Sequence, residues 1–313
     1  MLSKQSLAGA SLALSQLFSI TLAQGPYDPG LPIPRISDNS LASPEVADFF
    51  FGFYTAKSEH NISRFMTFFD PVTASYADVS LGAQFRNVSA LRDGFTGVFA
   101  DMQPGSIAYP LQVVGDMDSA IVASVDTPGM YGTEVRLLSV FDFKDGKITR
   151  ALDLWDGRKS PIIEGRGQDE YFDNLGLDNV HTSPDPSMQA LVSKLNSFLS
   201  KGDAAGAQSL FSYNAELVDS TLRTRLVGQL AIGRYLQRAV SLLPYGEGAT
   251  LRHVVGKGKG GGYEWKSVQG RGIYGLSLIE LDEKGLIKRY VTLWDGSRVR
   301  DRQLKSLNAL SLE

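Results

Sequence analysis

The sequence predicts an α+β fold: two tandem cone-shaped domains, each with three N-terminal helices packed on a strongly bent mixed or antiparallel sheet. Two observations lead there. The first is an internal repeat. Leu138-Ser139, Gly146, Ile148, Arg150 and Leu154-Trp155-Asp156-Gly157 recur as Leu276-Ser277, Gly285, Ile287, Arg289 and Leu293-Trp294-Asp295-Gly296, with Trp155 and Trp294 139 residues apart. Asp78 and Asp219, earlier in the repeat, lie 141 apart in strand-like runs. The second is the order of patterns within each copy, where apolar residues recur first at helical spacing and then in alternation.

The first copy opens at Ser43-Pro44-Glu45, an N-cap followed by proline at the first helical position. Val46, Phe49, Phe50 and Phe53 follow on one helical face with Tyr54 beside them, and a second short helix carries Ile62, Phe65, Met66 and Phe69. A strand is expected from Thr73 to Leu81, then a third helix bearing Leu91, Phe95, Val98 and Phe99. Four strands near 109–115, 118–127, 132–143 and 147–155 close the copy, the last two joined by a turn at Lys144-Asp145-Gly146. The second copy repeats this plan. Met188, Leu191, Val192, Leu195 and Leu199 follow Asp185-Pro186, Asp203 caps a second helix, and Ile232, Tyr235, Leu236, Ala239 and Leu243 mark a third. The boundaries read as domain 1 over 44–158, a linker rich in glycine, proline and charge over 159–186, domain 2 over 187–300 and a tail over 301–313. Lys257-Gly258-Lys259-Gly260-Gly261-Gly262 lacks phosphate-loop spacing and a following helix, so it reads as a hairpin tip.

Lys4 followed by the uncharged stretch Leu7 to Ala23 reads as a signal peptide over 1–23, cleaved before Gln24 and followed by an extended arm over 24–43. The expectation is a secreted, extracellular protein with no membrane contact after cleavage. Asn61-Ile62-Ser63 and Asn87-Val88-Ser89 are glycosylation sequons, and Asn61 and Asn87 each also stand where a helix begins, so capping is the alternative reading. A formal charge of −3 without basic runs argues against nucleic acid as a partner. The chain has no cysteine, which excludes disulfides and thiol nucleophiles, and its three histidines, His60, His181 and His253, show no ligand spacing, so no metal site is expected.

Three helices ahead of a bent sheet, with a Gly-Lys-Ile hairpin before the last strand, resemble the nuclear transport factor two-like superfamily, and within it the ketosteroid isomerases and SnoaL-like polyketide cyclases. The resemblance covers roughly 44–157 and 187–297. The run Tyr76-Ala77-Asp78-Val79-Ser80-Leu81-Gly82 is similar to the isomerase segment that carries the catalytic base, with Asp78 in that position. Tyr54 matches the oxyanion-donating tyrosine, while the second donor, an aspartate, falls on Ser139. In copy two Asp219 keeps the base position, but Leu195 and Ser277 replace the donors, so that copy looks degraded as a site of this kind. Secretion, the sequons and the family context together imply a fungal glycoprotein of secondary metabolism.

Strand alternation gives a second handle. Ser139, Phe141 and Phe143 share one strand face and Ala151, Asp153 and Trp155 share another. The expected site therefore joins Asp78, Tyr54, Asp153 and Ser139 in a pocket lined by Phe141, Trp155, Phe50 and Phe95. A second pocket would be bounded by Asp219, His253 and Trp294. A carboxylate out of water is a stronger base, and a buried phenol stabilises an enolate oxygen. That pairing suits cofactor-free isomerisation, cyclisation or dehydration of a hydrophobic carbonyl compound, polyketide- or terpenoid-like. The alternatives stay open: Asp78 as a structural acid on a loop amide, Tyr54 as a core aromatic, and the whole chain as a non-catalytic secreted binding or interaction protein. Trp155-Asp156-Gly157 reads as structural, the indole closing the cone and Asp156 capping the turn. Leu152 and Leu154 face outward, as do Val291 and Leu293, which predicts that the copies pack as an intrachain pseudo-dimer in a monomeric chain.

Overall fold

The computed structural model describes residues 31–166, 174–269 and 273–312. The signal-peptide segment, the first part of the arm, and part of the linker lie outside these.

Helices and two mixed sheets alternate in the order the patterns predict. In the first half these are β1 (Asp38–Ala42), α1 (Pro44–Ser58), α2 (Ile62–Phe65), β2 (Ser75–Asp78), β3 (Ala83–Phe85), α3 (Val88–Asp101), β4 (Ala108–Gly115), β5 (Ser119–Asp126), α4 (Pro128–Tyr131), β6 (Val135–Lys144) and β7 (Lys147–Trp155). The second half holds α5 (Pro186–Ser200), α6 (Ala204–Gln208), β8 (Phe211–Asp219), β9 (Thr224–Val227), α7 (Gln229–Ala239), β10 (Thr250–Lys257), β11 (Gly260–Lys266), β12 (Tyr274–Leu281), β13 (Ile287–Trp294) and α8 (Asp301–Ser311). The sheet orders are β1-β4-β5-β6-β7-β2-β3 and β10-β11-β12-β13-β8-β9. No helix among the described residues is long and apolar enough to cross a membrane.

Local chemistry explains the boundaries. The Ser43 hydroxyl accepts from Val46 N and the Asp185 carboxylate accepts from Ser187 N and Met188 N, each ahead of a proline in the first turn. The expected strand 73–81 is shorter, because the chain turns after Asp78 and returns as β3. Gly115 and its counterpart Gly256 take φ of 116° and 102° as β4 and β10 end. A side chain on either would meet the returning strand's backbone at 2.3 or 2.2 Å. Several elements were not expected, among them β1, which falls in the arm and pairs parallel with β4, the short α4, and α8, which falls in the tail.

Each half has an apolar core between its helices and its sheet, and a third apolar layer lies between the two sheets. Leu138, Val140, Leu152 and Leu154 meet Leu276, Leu278, Val291 and Leu293 there. Matched polar groups flank this layer. Arg150 pairs with Asp142 at 3.1 Å and with Glu264 at 2.6 Å, and its repeat partner Arg289 pairs with Glu280 at 3.0 Å. Across the layer, His253 Nε2 lies 2.8 Å from Asp142 and Gln112 Nε2 donates to Glu280 at 2.8 Å. His253 therefore faces the other half. Its expected place in a second pocket is corrected by β10 alternation, which turns it to the outer face of the sheet.

Candidate functional site

Asp78 ends β2, and its Oδ1 accepts the Leu81 amide at 2.8 Å while Oδ2 accepts the Trp155 indole at 3.0 Å. Ser80 Oγ donates to Trp155 O at 2.6 Å and accepts from Trp155 N at 2.9 Å, locking the two strand ends together. The second half builds the same joint, with Asp219 accepting Leu222 N at 2.9 Å and Trp294 Nε1 at 3.2 Å, and Thr221 in the place of Ser80. The indoles of the two Trp-Asp-Gly motifs are thus anchored by the repeat aspartates. Asp156 accepts from Arg158 N and caps the following turn, as its position predicts. Burial raises Asp78 to about 7, against the lowering from the indole and the Leu81 amide, with Asp153 adding a smaller upward push. Burial likewise brings Asp219 to about 6.

What differs between the halves is the space beside the joint. In the first half a cavity of about 90 Å³ opens between Asp78, Asp153, Tyr76, Phe95, Tyr131 and Trp155. A smaller inner lobe of about 10 Å³ lies between Tyr54, Lys57, Ser124, Phe141 and Asp153. Asp153 borders both, and its Oδ2 accepts the Tyr76 hydroxyl at 2.8 Å. Asp78 and Asp153 are in-register neighbours on parallel strands, so both side chains leave the same sheet face. Burial holds the Tyr54 and Tyr131 hydroxyls protonated, their ionisation pushed well above the ordinary tyrosine range. At the back of the site Lys57 on α1 is bonded to both Asp126 oxygens at 3.0 and 2.8 Å, and both residues are nearly inaccessible. Burial is the largest single influence and opposes the Lys57 charge, but Asp126 together with Tyr131, Asp153 and Tyr54 outweighs it and the net shift is upward.

The expected residues therefore divide. Asp78 and Trp155 line the outer cavity, Tyr54 and Phe141 line the inner lobe, and Asp153 and Phe95 border both. Tyr54 thus has Asp153, not Asp78, as the carboxylate sharing its lobe. Ser139 is buried opposite Asp153 in register and contributes to neither lobe. Phe50 packs against Phe141 and Phe143 in the core and lines neither lobe, which corrects its expected place. Tyr76, Tyr131, Ser124 and the Lys57–Asp126 pair were not expected. Two were legible: Tyr76 alternates with Asp78, and Lys57 stands seven residues after Phe50 on the buried stripe of α1.

In the second half the corresponding space is occupied. By strand register Tyr263 stands where the first half has Val122, Trp265 where it has Ser124, Tyr290 where it has Ala151, and Thr292 where it has Asp153. Their polar atoms satisfy one another: Ser277 Oγ lies 2.8 Å from Tyr290 OH and accepts Trp265 Nε1 at 3.1 Å. The expected second pocket around Asp219 and Trp294 is corrected accordingly, since aromatic side chains take that volume.

Asn61 and Asn87 are exposed and cap their helices, accepting Arg64 N at 3.0 Å and Ala90 N at 2.9 Å. Among the described residues, no group of three histidine, aspartate or glutamate side chains is placed to hold a metal.

No protein-family model and no curated protein matches the chain. Solved structures do. The chain is similar to nuclear transport factor two-like proteins. A steroid delta-isomerase from Pseudomonas aeruginosa matches at 12% identity and TM-score 0.33, covering 42% of this chain and 93% of its own. A SnoaL-like protein of unknown function from Burkholderia thailandensis matches at 12% identity and TM-score 0.32, covering 37% and 100%. A nuclear transport factor two-like protein of unknown function from Burkholderia xenovorans matches at 20% identity and TM-score 0.30, covering 35% and 83%. At TM-scores this low, function rests on the geometry of the site itself.

Proposed function

We propose that the first half is a cofactor-free proton-transfer site of the isomerase or cyclase/dehydratase kind for a hydrophobic carbonyl compound. In this reading each half is one cone of a tandem pair, and the chain is an exported monomer whose second half serves as scaffold. The observation that carries the reading is Asp153, a carboxylate held by Tyr76 at 2.8 Å between two apolar-walled lobes, at a position where the filled half has threonine.

The roles follow from placement. Asp153 removes a proton next to the carbonyl, with the Tyr76 hydrogen bond fixing its orientation. A carbonyl oxygen reaching into the inner lobe meets the Tyr54 hydroxyl, which stays protonated and donates as negative charge develops on oxygen. Phe95 and Trp155 exclude water, so that charge is formed in a medium where a fixed donor counts for most. Ser139, buried beside Asp153, supports the strand pair there. A cavity of about 90 Å³ accepts a compact ketone directly, and a polyketide- or terpenoid-sized ligand needs the wall at Tyr131 and Ile162 to move.

The test is α-proton exchange of a cyclic ketone in deuterated water, followed by proton NMR. Exchange is expected with the full chain and is expected to fall by roughly 100-fold or more in Asp153→Asn. Exchange at the wild-type rate in that variant sinks the assignment. A binding-only reading is favoured by one observation: Asp219 shows that the buried aspartate–tryptophan joint also occurs beside Thr292, where the first half has Asp153. Native mass spectrometry separates the two, because a retained unmodified apolar ligand together with absent exchange supports binding alone.

A further inference from the structure

We propose that Asp78 and Asp153 act as an acid–base pair that eliminates water from a β-hydroxy carbonyl compound. This rests on the proton-transfer reading above and names its reaction and substrate class.

The geometry carries it. The two aspartates are in-register neighbours on the parallel strands β2 and β7, their side chains leave one sheet face, and both open on the same cavity. Neighbouring strands lie about 4.8 Å apart, so two carboxyls side by side can reach a carbon-bound hydrogen and a hydroxyl on the next carbon together. Their surroundings separate their tasks. Asp153 accepts one hydrogen bond, from a neutral phenol. Asp78 is nearly inaccessible, is held by an amide and an indole, and has Asp153 as its acidic neighbour. Burial keeps the proton on the Asp78 carboxyl, which is raised to about 7, and the neighbouring Asp153 adds a smaller upward push. Tyr76 and Tyr131 also face the pair, and both are neutral across the working range. The aspartate–tryptophan joint of the second half lacks this arrangement, because Thr292 replaces the base.

The step balances without a further reactant. Asp153 takes the α-hydrogen as a proton, and the C–H electron pair becomes the new C=C bond. The C–O bond at the β-carbon breaks, and the departing oxygen takes the Asp78 proton and leaves as water. Asp153 then carries a proton and Asp78 a charge, and transfer between these neighbours restores the starting state. Both groups approach from one side of the sheet, so hydrogen and hydroxyl depart syn.

The probe is 4-hydroxypentan-2-one with the full chain. Conversion to pent-3-en-2-one is followed by absorbance, and α-proton exchange is followed in parallel by NMR. Elimination is expected, with the hydroxyl and the syn hydrogen lost from stereospecifically 3-deuterated substrate. Asp78→Asn is expected to lower the ratio of elimination to exchange by roughly 100-fold. Because Asp78 also anchors Leu81 and Trp155, the unmodified protein supplies a second measurement: elimination falls as pH rises through about 7 while exchange does not. Exchange without elimination overturns the pair and leaves the proton-transfer reading standing, whereas loss of both activities in the wild type overturns both. Anti elimination, or a ratio unmoved by Asp78→Asn, also overturns the pair.

Discussion

Replacing Asp78 by asparagine should change how stability depends on pH, by an amount the structure sets. Asp78 has an ordinary value of 3.8 and is raised to about 7 in the folded chain, chiefly by burial. Between those values the folded state binds more protons than the unfolded one, so stability is fullest below about 4 and falls as pH rises towards 7. At about 1.4 kcal/mol per unit over about 3 units, the loss is on the order of 4 kcal/mol. Asparagine keeps an acceptor for the Leu81 amide and the Trp155 indole but carries no charge. The variant should therefore match the wild type near pH 4 and exceed it by up to about 4 kcal/mol at pH 8. Urea unfolding followed by tryptophan fluorescence, at intervals from pH 4 to 8, reads the gap, and Trp155, Trp265 and Trp294 are all buried reporters. The comparison between variants cancels the titrating groups that do not interact with Asp78. A gap that stays constant across this range would show that Asp78 is charged at neutrality, and both the joint's energetics and the proposed acid would be wrong.

Asp126→Ala leaves the Lys57 ammonium buried without its partner and should cost about 3–5 kcal/mol, much of it restored when Lys57→Met is added; denaturant midpoints of the single and double variants decide this. Tyr290→Ala should cost about 3–5 kcal/mol and open in the second half the space that Ala151 leaves in the first. Benzene should then raise the variant's melting temperature by more than the wild type's. Expressed through a secretory pathway, the chain should lose apparent mass on enzymatic deglycosylation, and Asn61→Gln with Asn87→Gln should abolish the shift.

Much of this fold was legible because its signals are local. Ser43-Pro44 and Asp185-Pro186 mark helix starts, Lys144-Asp145-Gly146 marks a hairpin, and the repeat of Leu-Trp-Asp-Gly aligns the two halves. β1 was hidden, since Asp38–Ala42 carries a single large apolar residue and is a strand only because β4 pairs with it across some 70 residues. The C-terminal helix is readable from the spacing of its buried Leu304 and Leu307. In the site, alternation placed Asp153 and Trp155 on one face. It could not show that the Trp155 indole hydrogen-bonds to Asp78, because that contact spans 77 residues. The Lys57–Asp126 pair was invisible for the same reason, as neither residue has a local partner to betray it.

The contrast between the halves bears on why both are present. A sheet with helices on one face leaves its other face apolar, and here that face buries Leu138, Val140, Leu152 and Leu154 against their repeat counterparts. The layer is non-directional, so the flanking pairs Arg150–Asp142 and Arg289–Glu280, each touched by a residue of the opposite half, are what specify its register. That task requires the outer face of the second sheet and makes no demand on its interior. Tyr263, Trp265 and Tyr290 could therefore fill the second half and gain packing, while the first half keeps Val122, Ser124 and Ala151 and so keeps its space. Leaving a cavity next to buried carboxyls costs stability in one half, and a solid second half bonded across a common layer offsets that cost.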